Sequence, residues 1–393
     1  MNRISLNTIR AERHLMDLLR IEGQSGRERE VAECVMQKLA AAGVPRSSMK
    51  TDTAHRRIPG DFETGNLIIK IPGDMRAPRR MFMGHLDTVP LCRGAIPVKK
   101  GHRIVAKGAT AVRADNRTAV AAVITLAEEV LSQKLPHPPL TLLFTVGEEI
   151  GLYGAKYLRP ADVGNPAMAF NFDSGDPREI ITGAIGAVKW TARIRGISSH
   201  AGMHPEQGVS AILIASRAIE QAARGGWFGL IRKGRRHGTS NAGIISGGAA
   251  TNQVADEALV HGECRSHDPA FLKHIVAAWT RAFRDAARSV SNHEGAQGRV
   301  EFECHNDYAS FRMSDRHPAV QFALAAARSL GWTPRTVVMN GGLDANPLND
   351  MGIPTITLGA GQHGAHSVKE YVDLPEYFDG CRLGIALATQ PIR

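Results

Sequence analysis

The stretch MFMGHLDTVP, residues 81–90, places an imidazole and a carboxylate where an apolar segment ends. Side chains alternate between the two faces of a strand, so His85 and Asp87 are expected on the same side, just beyond the strand end. Two such groups that converge could bind a metal ion, because imidazole and carboxylate are common metal ligands. A structural histidine beside a loop carboxylate explains this stretch equally well when it is taken alone.

More carboxylates and another imidazole follow other predicted strands or begin a predicted helix, at Asp115, Glu148, Glu149, Asp173 and His366. Each has a simpler explanation: Asp115 could cap a helix, the glutamates could be solvated, and Asp173 could cap a turn. However, strand ends in an α/β sheet line the ligand crevice. Carboxylates clustered there would repel one another unless divalent cations neutralised them. The sequence therefore indicates a metal-dependent site.

Cysteine usage narrows the kind of metal site. The chain of 393 residues has five cysteines, an odd number without a C-x-x-C pair, which is typical of reduced thiols. Any metal should therefore use His, Asp and Glu. We find no apolar signal segment and no run of about eighteen apolar residues, so we expect a cytoplasmic protein that does not enter a membrane.

The net charge of +10 raises the possibility of a nucleic-acid partner. The densest basic cluster is RKGRRHG, residues 232–238. No aromatic residues interleave with it and no nucleic-acid motif surrounds it, so a solvated loop is the better interpretation. We predict no nucleic-acid partner. Attraction of anionic substrates or solubility accounts for the charge.

Short apolar runs predict buried strands at residues 66–72, 79–87, 140–149 and 167–173. Between the second and third runs, residues 116–133 carry an apolar stripe at helical spacing. Alternation of continuous apolar strands with helices predicts a buried sheet covered by helices.

Near the N-terminus, SGRE at Ser25 to Glu28 has the pattern of a capping box. It predicts a helix that begins there and runs to AAAGV at residues 40–44, with Gly43 as the stop.

The pattern changes after Asp173, because residues 186–202 alternate polar and apolar side chains like a strand with one solvated face. Two amphipathic helices and further strands follow, which predicts a small α+β domain inserted into the first. The predicted boundaries are 1–185 and 309–393 for the outer domain and 186–308 for the insertion.

Segment by segment, the chain resembles the peptidase T, carboxypeptidase G and acetylornithine deacetylase superfamily of dinuclear zinc hydrolases. The resemblance covers nearly the whole chain and is carried, in family order, by HLDTVP, ADNRTAV, GEEIGLYGA, SSHAG, GGAATNQV, RSHD, GGLDAN and HSVKEYV. GGLDAN and GAGQHGAHSVKEYVDL are most similar to the peptidase T branch. The resemblance implies an α/β fold: a three-layer α/β/α zinc-peptidase catalytic domain with an inserted α+β dimerisation (lid) domain.

The resemblance also implies a ligand set. His85 and Asp173 would bind one Zn²⁺, Glu149 and His366 would bind a second, and Asp115 would bridge both. Such carboxylate and imidazole ligands also admit Co²⁺ or Mn²⁺.

By the same resemblance, Glu148 would be the general base and Asp87 would orient His85. His200 would donate a hydrogen bond to the oxyanion from the other subunit of a homodimer. Arg265 and Asn252 would contact the substrate.

Two residues depart from the family pattern. Asn116 stands where many relatives have a second aspartate, and Arg113 stands where glycine is common. The resemblance further implies a cis peptide bond between Asp115 and Asn116.

The implied activity is that of a zinc-dependent exopeptidase for short peptides, a peptidase T-like (tripeptide) aminopeptidase that uses metal-activated water. A deacylase or carboxypeptidase of N-acyl amino acids would use the same site. A third reading, an inactive metal-binding dimeric scaffold, is disfavoured because every expected catalytic and ligand residue is present.

Overall fold

A computed structural model describes residues 5–391 of the chain, which forms two compact units. The larger unit contains the described residues up to Ala184 and from Arg312 onward, and the inserted unit is Ile185–Phe311. Among the described residues, no helix combines the length and the apolarity needed to cross a bilayer.

The elements follow one another along the chain. Up to Ala184 they are α1 Thr8–Leu19, α2 Arg29–Ala41, β1 Met49–Thr51, β2 Leu67–Ile71, β3 Arg80–His85, β4 Pro97–Lys100, β5 Arg103–Ala106, α3 Ala114–Ser132, β6 Leu140–Thr145, α4 Tyr153–Lys156, β7 Met168–Phe172 and β8 Glu179–Ala184. The inserted unit contains β9 Gly186–Arg195, α5 Ala211–Arg224, β10 Gly229–Lys233, β11 Arg236–Gly247, β12 Glu257–Ser266, α6 Pro269–Ser289 and β13 Arg299–Tyr308. The chain ends with β14 Phe311–Arg312, α7 Pro318–Ser329, β15 Arg335–Met339, α8 Ala345–Asp350, β16 Thr355–Leu358, β17 Gln362–His363, β18 Tyr371–Asp373 and α9 Leu374–Thr389.

The main sheet of the larger unit has a parallel centre. Its strand order is β1-β2-β6-β3-β7-β16-β8-β14, and β15 pairs with β8. Strands β6, β3, β7 and β16 run parallel to their neighbours in that order, so their carboxyl ends meet at one edge. A smaller sheet of order β17-β18-β5-β4 completes the unit.

Side chains of the central strands enter two separate cores, one on each face of the sheet. On β3, Phe82 packs into the core formed with α1, α2, α3, α7 and α9. Its neighbours Met81 and Met83 pack into a second core on the opposite face, together with Leu348 of α8. Both faces are therefore covered by helices, and the predicted three-layer α/β/α architecture is confirmed.

The inserted unit is an antiparallel sheet of order β10-β11-β12-β9-β13 with helices on one face. On β9, Trp190, Ala192 and Ile194 are buried in the core with α5 and α6, whereas Arg193 and Arg195 are exposed. This alternation of buried and exposed side chains matches the strand with one solvated face that was predicted for this segment. The sequence did not predict β10 and β13, which carry several charged residues.

The predicted capping box at SGRE is wrong in its geometry. Helix α2 begins at Arg29, and Glu28 occupies the cap position without a side-chain cap bond. The side chains of Ser25 and Glu28 instead bind other segments, as described below. The helix ends at Ala41, and Gly43 follows it with a φ of +96°, as expected for a C-terminal stop.

Candidate active site

The candidate site lies where parallel strands of the main sheet end. Strand β3 ends at His85, β6 leads into Glu148 and Glu149, and β7 leads into Asp173. These strands are neighbours with the same direction, so the residues that follow them reach one edge of the sheet. The expectation from the sequence that strand ends deliver these groups to one place is met by the observed topology.

The carboxylate of Asp115 lies between two imidazoles. Its Oδ1 is 3.1 Å from Nε2 of His85, and its Oδ2 is 3.4 Å from Nε2 of His366. A further carboxylate approaches each ring: Glu149 Oε2 is 2.7 Å from His366 Nε2, and Asp173 Oδ1 is 3.9 Å from His85 Nε2. The structure thus brings together all five residues expected to be ligands.

The donor set fits divalent cations. Ligand atoms of His85, Asp115 and Glu149 lie within 4.8 Å of one another, and Oε1 of Glu149 is buried without a hydrogen-bond partner among the described residues. Burial raises the pKa of Asp173 well above its usual value, and repulsion from nearby carboxylates raises it further. A cation would relieve this repulsion and would accept the free oxygen of Glu149.

Hydrogen bonds with the imidazoles offset part of the negative charge of the carboxylates. Burial alone would raise the pKa of Asp115, but its hydrogen bonds with His366 and His85 hold that pKa below the usual range. The same interactions with Asp115 and Glu149 raise the pKa of His366 to about 10. His366 is the most accessible of these groups, with a side chain 55% exposed.

Asp87 connects four parts of the site. His85 Nδ1 lies 3.1 Å from the backbone carbonyl oxygen of Asp87 and 3.3 Å from its Oδ1, contacts expected of a residue that orients this ring. The same carboxylate accepts hydrogen bonds from the backbone N–H groups of Glu148 (3.0 Å) and Glu149 (3.1 Å). The hydroxyl of Ser25 donates to it at 2.6 Å. Asp87 therefore fixes the turn that presents both glutamates as well as the imidazole.

Glu148 is buried beside the cluster, and its Oε2 is 3.9 Å from His85 Nε2. Burial raises its pKa well above the usual value, and the charge of Asp344 contributes. Asp344 is itself buried, accepts a hydrogen bond from Thr145 Oγ1, and has a pKa raised to about 6 by burial. The motif GGLDAN contributes to the family resemblance, but Asp344 was not predicted as a site residue.

Gln362 is another site residue that the sequence analysis missed. Its Nε2 donates to Asp173 Oδ1 at 3.0 Å, and its Oε1 accepts from Thr118 Oγ1 at 2.9 Å. The amide thereby orients the carboxylate of Asp173. The only signal in the sequence was its position four residues before His366, in the same glycine-rich segment.

Asn116 and Arg113, the two residues that depart from the family pattern, both donate side-chain hydrogen bonds to backbone carbonyls. The peptide bond between Asp115 and Asn116 is cis, as the resemblance implied, and Asn116 Nδ2 donates to the Phe172 carbonyl at 2.8 Å. Arg113 has a φ of +71°, a conformation that favours glycine, which accounts for the glycine common at this position. Its buried guanidinium donates to the Leu19 carbonyl at 2.8 Å.

His200 and Asn252 lie side by side in the inserted unit. The backbone N–H of Ala201 donates to the Asn252 carbonyl at 2.9 Å. Nδ1 of His200 accepts hydrogen bonds from the N–H groups of Gly202 (3.2 Å) and Met203 (3.1 Å). These bonds fix Nδ1 as the acceptor and leave the proton on Nε2, the form required of a hydrogen-bond donor.

Arg265 lies on β12 of the same unit. Its Nε and Nη2 donate to the two carboxylate oxygens of Glu263, at 2.8 and 3.0 Å. This bidentate pair uses the Nε–Nη2 edge of the guanidinium.

The chain is similar in sequence to known proteins. The sequence profile of Peptidase family M20/M25/M40 matches residues 81–390. The chain is 30% identical over 386 residues to the Bacillus subtilis protein YqjE, covering 98% of this chain and 99% of that protein.

Two solved structures are similar over 98% of both chains. The aminopeptidase PepT from Bacillus cereus has a TM-score of 0.84 and 30% identity. A tripeptidase from Staphylococcus aureus has a TM-score of 0.86 and 28% identity. The predicted resemblance and fold class are confirmed: the chain belongs to Peptidase family M20/M25/M40 and is a hydrolase of the peptidase type.

Proposed function

We propose that this enzyme is an aminopeptidase that removes the N-terminal residue of short peptides, with tripeptides as the main substrates. The observation that carries the proposal is the carboxylate of Asp115 between two imidazoles, each with a further carboxylate beside it. Support for the substrate comes from the two similar structures, which are an aminopeptidase and a tripeptidase.

Five residues would hold two metal ions. His85 and Asp173 would bind one, Glu149 and His366 the other, and Asp115 would bridge them. Imidazole and carboxylate ligands suit Zn²⁺, with Co²⁺ or Mn²⁺ as substitutes. When bound, the ions supply Lewis acidity, which lowers the pKa of a water molecule and polarises the scissile carbonyl.

Glu148 would serve as the general base. Its carboxylate is buried beside the ligand cluster and is not needed to complete either ligand set. It would accept a proton from water as the oxygen attacks the peptide carbonyl, and would deliver that proton to the amine as the C–N bond breaks. Asp87 would hold Glu148 in place through the backbone N–H of that residue.

The inserted unit would act as a lid and as the contact of a homodimer, so that His200 of each subunit donates to the oxyanion in the other. Within this unit, Leu213, Ile244 and Ile245 are exposed by 42%, 62% and 54%. Strand β11 pairs only with β12 beyond Ser240 among the described residues, so part of its edge is open to a second copy.

Arg265 and Asn252 would contact the backbone or terminus of the substrate. We place the enzyme in the cytoplasm, because its cysteines, Cys34, Cys92, Cys264, Cys304 and Cys381, are all free.

A matched substrate panel tests the proposal. The metal-loaded enzyme should release the N-terminal residue of a tripeptide, should fail on the same tripeptide after N-acetylation, and should lose activity on chelation. Preference for N-acyl amino acids over the free tripeptide would identify a deacylase or carboxypeptidase instead. Absence of turnover on both panels, with bound metal verified, would favour an inactive scaffold.

A further inference from the structure

Glu28 is a fully buried glutamate with no role in the mechanism above. One oxygen, Oε1, accepts hydrogen bonds from the backbone N–H groups of Gly26 (2.9 Å) and Gly147 (3.0 Å). Its other oxygen has no hydrogen-bond partner among the described residues. Gly147 directly precedes Glu148, so Glu28 holds the turn that carries the general base and a ligand.

The conformation of this turn is specific. Gly147 has a φ of +60°, and a Cβ there would lie 2.8 Å from the ring of Phe62. The turn therefore requires a glycine and a fixed backbone. The bond from Gly147 N–H to Glu28 fixes one side of the turn, while Asp87 binds the next two N–H groups.

Glu370 is a second buried glutamate, 2% exposed, that contacts another segment of the site. Its Oε1 accepts from the backbone N–H of Asp115 at 3.1 Å, and its Oε2 accepts from that of Arg113 at 2.8 Å. It therefore spans the segment that presents the carboxylate between the two imidazoles. Both of its oxygens are used, whereas Glu28 uses one.

We infer that Glu28 and Glu370 are positioning residues that fix the backbone of the two turns presenting Glu148, Glu149 and Asp115. The inference rests on the proposed function for the identity of the catalytic groups. It adds two residues that touch neither substrate nor metal and act through backbone N–H groups.

Glu28 uses one carboxylate oxygen as an acceptor, whereas Glu370 uses both. Replacement by glutamine should therefore preserve the contacts of Glu28 and break one contact of Glu370. In Glu28→Gln, the amide oxygen can accept both hydrogen bonds and the NH₂ group takes the place of the unpaired oxygen. In Glu370→Gln, the NH₂ group must face one of two N–H donors, so one bond is lost. A role limited to burial or to negative charge would not separate the two variants in this way.

Glu129 offers a matched control. It is 2% exposed, and its Oε1 accepts from the Asn7 N–H at 3.1 Å and from Arg10 Nη2 at 2.8 Å. It lies on α3, roughly 20 Å along the helix from Asp115 at 1.5 Å per residue. Loss of this buried acceptor should lower thermal stability without changing the site.

The test compares Glu28→Gln, Glu28→Leu, Glu370→Gln and Glu129→Leu by tripeptide kcat and KM, by zinc retention in competition with a chelator, and by amide exchange. Glu28→Leu should lower kcat by about 10- to 100-fold with little change in KM, and Glu28→Gln should restore kcat to within about threefold. Glu370→Gln should weaken zinc retention by about 10- to 100-fold. Exchange should accelerate at Gly147 in Glu28→Leu, and at either Asp115 or Arg113 in Glu370→Gln.

Equal effects of Gln and Leu at position 28, unchanged zinc retention in Glu370→Gln, or loss of kcat in Glu129→Leu would overturn the inference. Zinc retention and amide exchange do not need a substrate. If the wild type hydrolyses no tripeptide but these two measurements follow the pattern above, the proposed function fails while the positioning roles stand.

Discussion

The predicted site residues of the two units differ in how firmly the chain holds them. In the larger unit, the carboxylate of Asp115 is buried and contacts the imidazoles of His85 and His366, and its backbone N–H donates to Glu370. In the inserted unit, His200 is exposed and held by its own turn, and Arg265 is paired with Glu263. The first group is preorganised by residues that are distant in sequence, whereas His200 and Arg265 are held by residues two or three positions away.

The difference follows from the cost of burial. A buried carboxylate is tolerated only when hydrogen bonds, opposite charges or a metal ion compensate the lost hydration, so the fold must supply partners. An exposed imidazole such as that of His200 keeps its hydration and needs no such partner, and the half-buried guanidinium of Arg265 is compensated by Glu263. Variants of the larger unit should therefore report on chemistry directly, whereas variants of the inserted unit should depend on assembly.

The largest effect is expected for Glu148→Gln in the larger unit. The amide cannot accept the proton of water, so turnover should fall by about 10²- to 10⁴-fold. Metal content should stay at the wild-type level, because Glu148 is not in the proposed ligand set. Elemental analysis that shows loss of one equivalent of metal would make Glu148 a ligand and contradict its role as base.

The next largest effect is expected in the inserted unit, at His200. His200→Ala should lower turnover by about 10²- to 10³-fold, the usual cost of a lost oxyanion donor. If His200 acts across a dimer, mixing this variant with Glu148→Ala should restore one intact site in each mixed dimer. Random exchange gives about half mixed dimers and about a quarter of wild-type activity.

Subunit exchange must be verified in this mixture by mass, with each variant alone as the control. If exchange is complete and activity does not rise, His200 acts within its own chain or has no catalytic role.

Smaller effects are expected for substitutions at Asp87 and Ser25, whose contacts fix the turn that carries Glu148 and Glu149. Asp87→Asn places an NH₂ group against backbone donors, and should lower activity or metal affinity by about 10- to 100-fold. Ser25→Ala removes a single hydroxyl from the same carboxylate and should cost about tenfold or less. Kinetics and chelator competition measure both. A greater loss in Ser25→Ala than in Asp87→Asn would refute this ranking.

The smallest expected effect is a loss of stability of the larger unit in acid that depends on His14. Burial lowers the pKa of His14 below the usual 6.5. The neutral form is thus favoured in the folded state, so its contribution to stability is complete above about pH 6.5 and is lost as pH falls through the folded pKa. Amide protection factors of α1, corrected for the intrinsic exchange rate at each pH, should fall over this window, and His14→Gln should reduce the pH dependence. An equal fall in α6 would mean that the effect is not local to this unit.

Much of this fold is visible in the sequence because the patterns are local. Apolar runs marked β2, β3, β6 and β7 to within a few residues at each end, and their continuous hydrophobicity indicated a sheet buried on both faces. The polar residue after each run, such as Asp173 after β7, then marks the sheet edge. A charged strand such as β13 carries no comparable signal.

The supporting contacts were not predictable because they join residues distant in sequence. Ser25 and Glu28 match a local capping pattern, but the fold directs them to Asp87 and Gly147 instead. Gln362 reaches Asp173 across 189 positions. Such partners emerge only when the sheet brings the segments together.

Anomalous X-ray scattering from zinc-loaded crystals would show whether Asp115 bridges two metal ions. We expect two zinc peaks, one on each side of the Asp115 carboxylate, with His85 on the first ion, His366 on the second and Glu148 on neither. A single peak, or two peaks of which one has no contact with Asp115, would refute the bridging role.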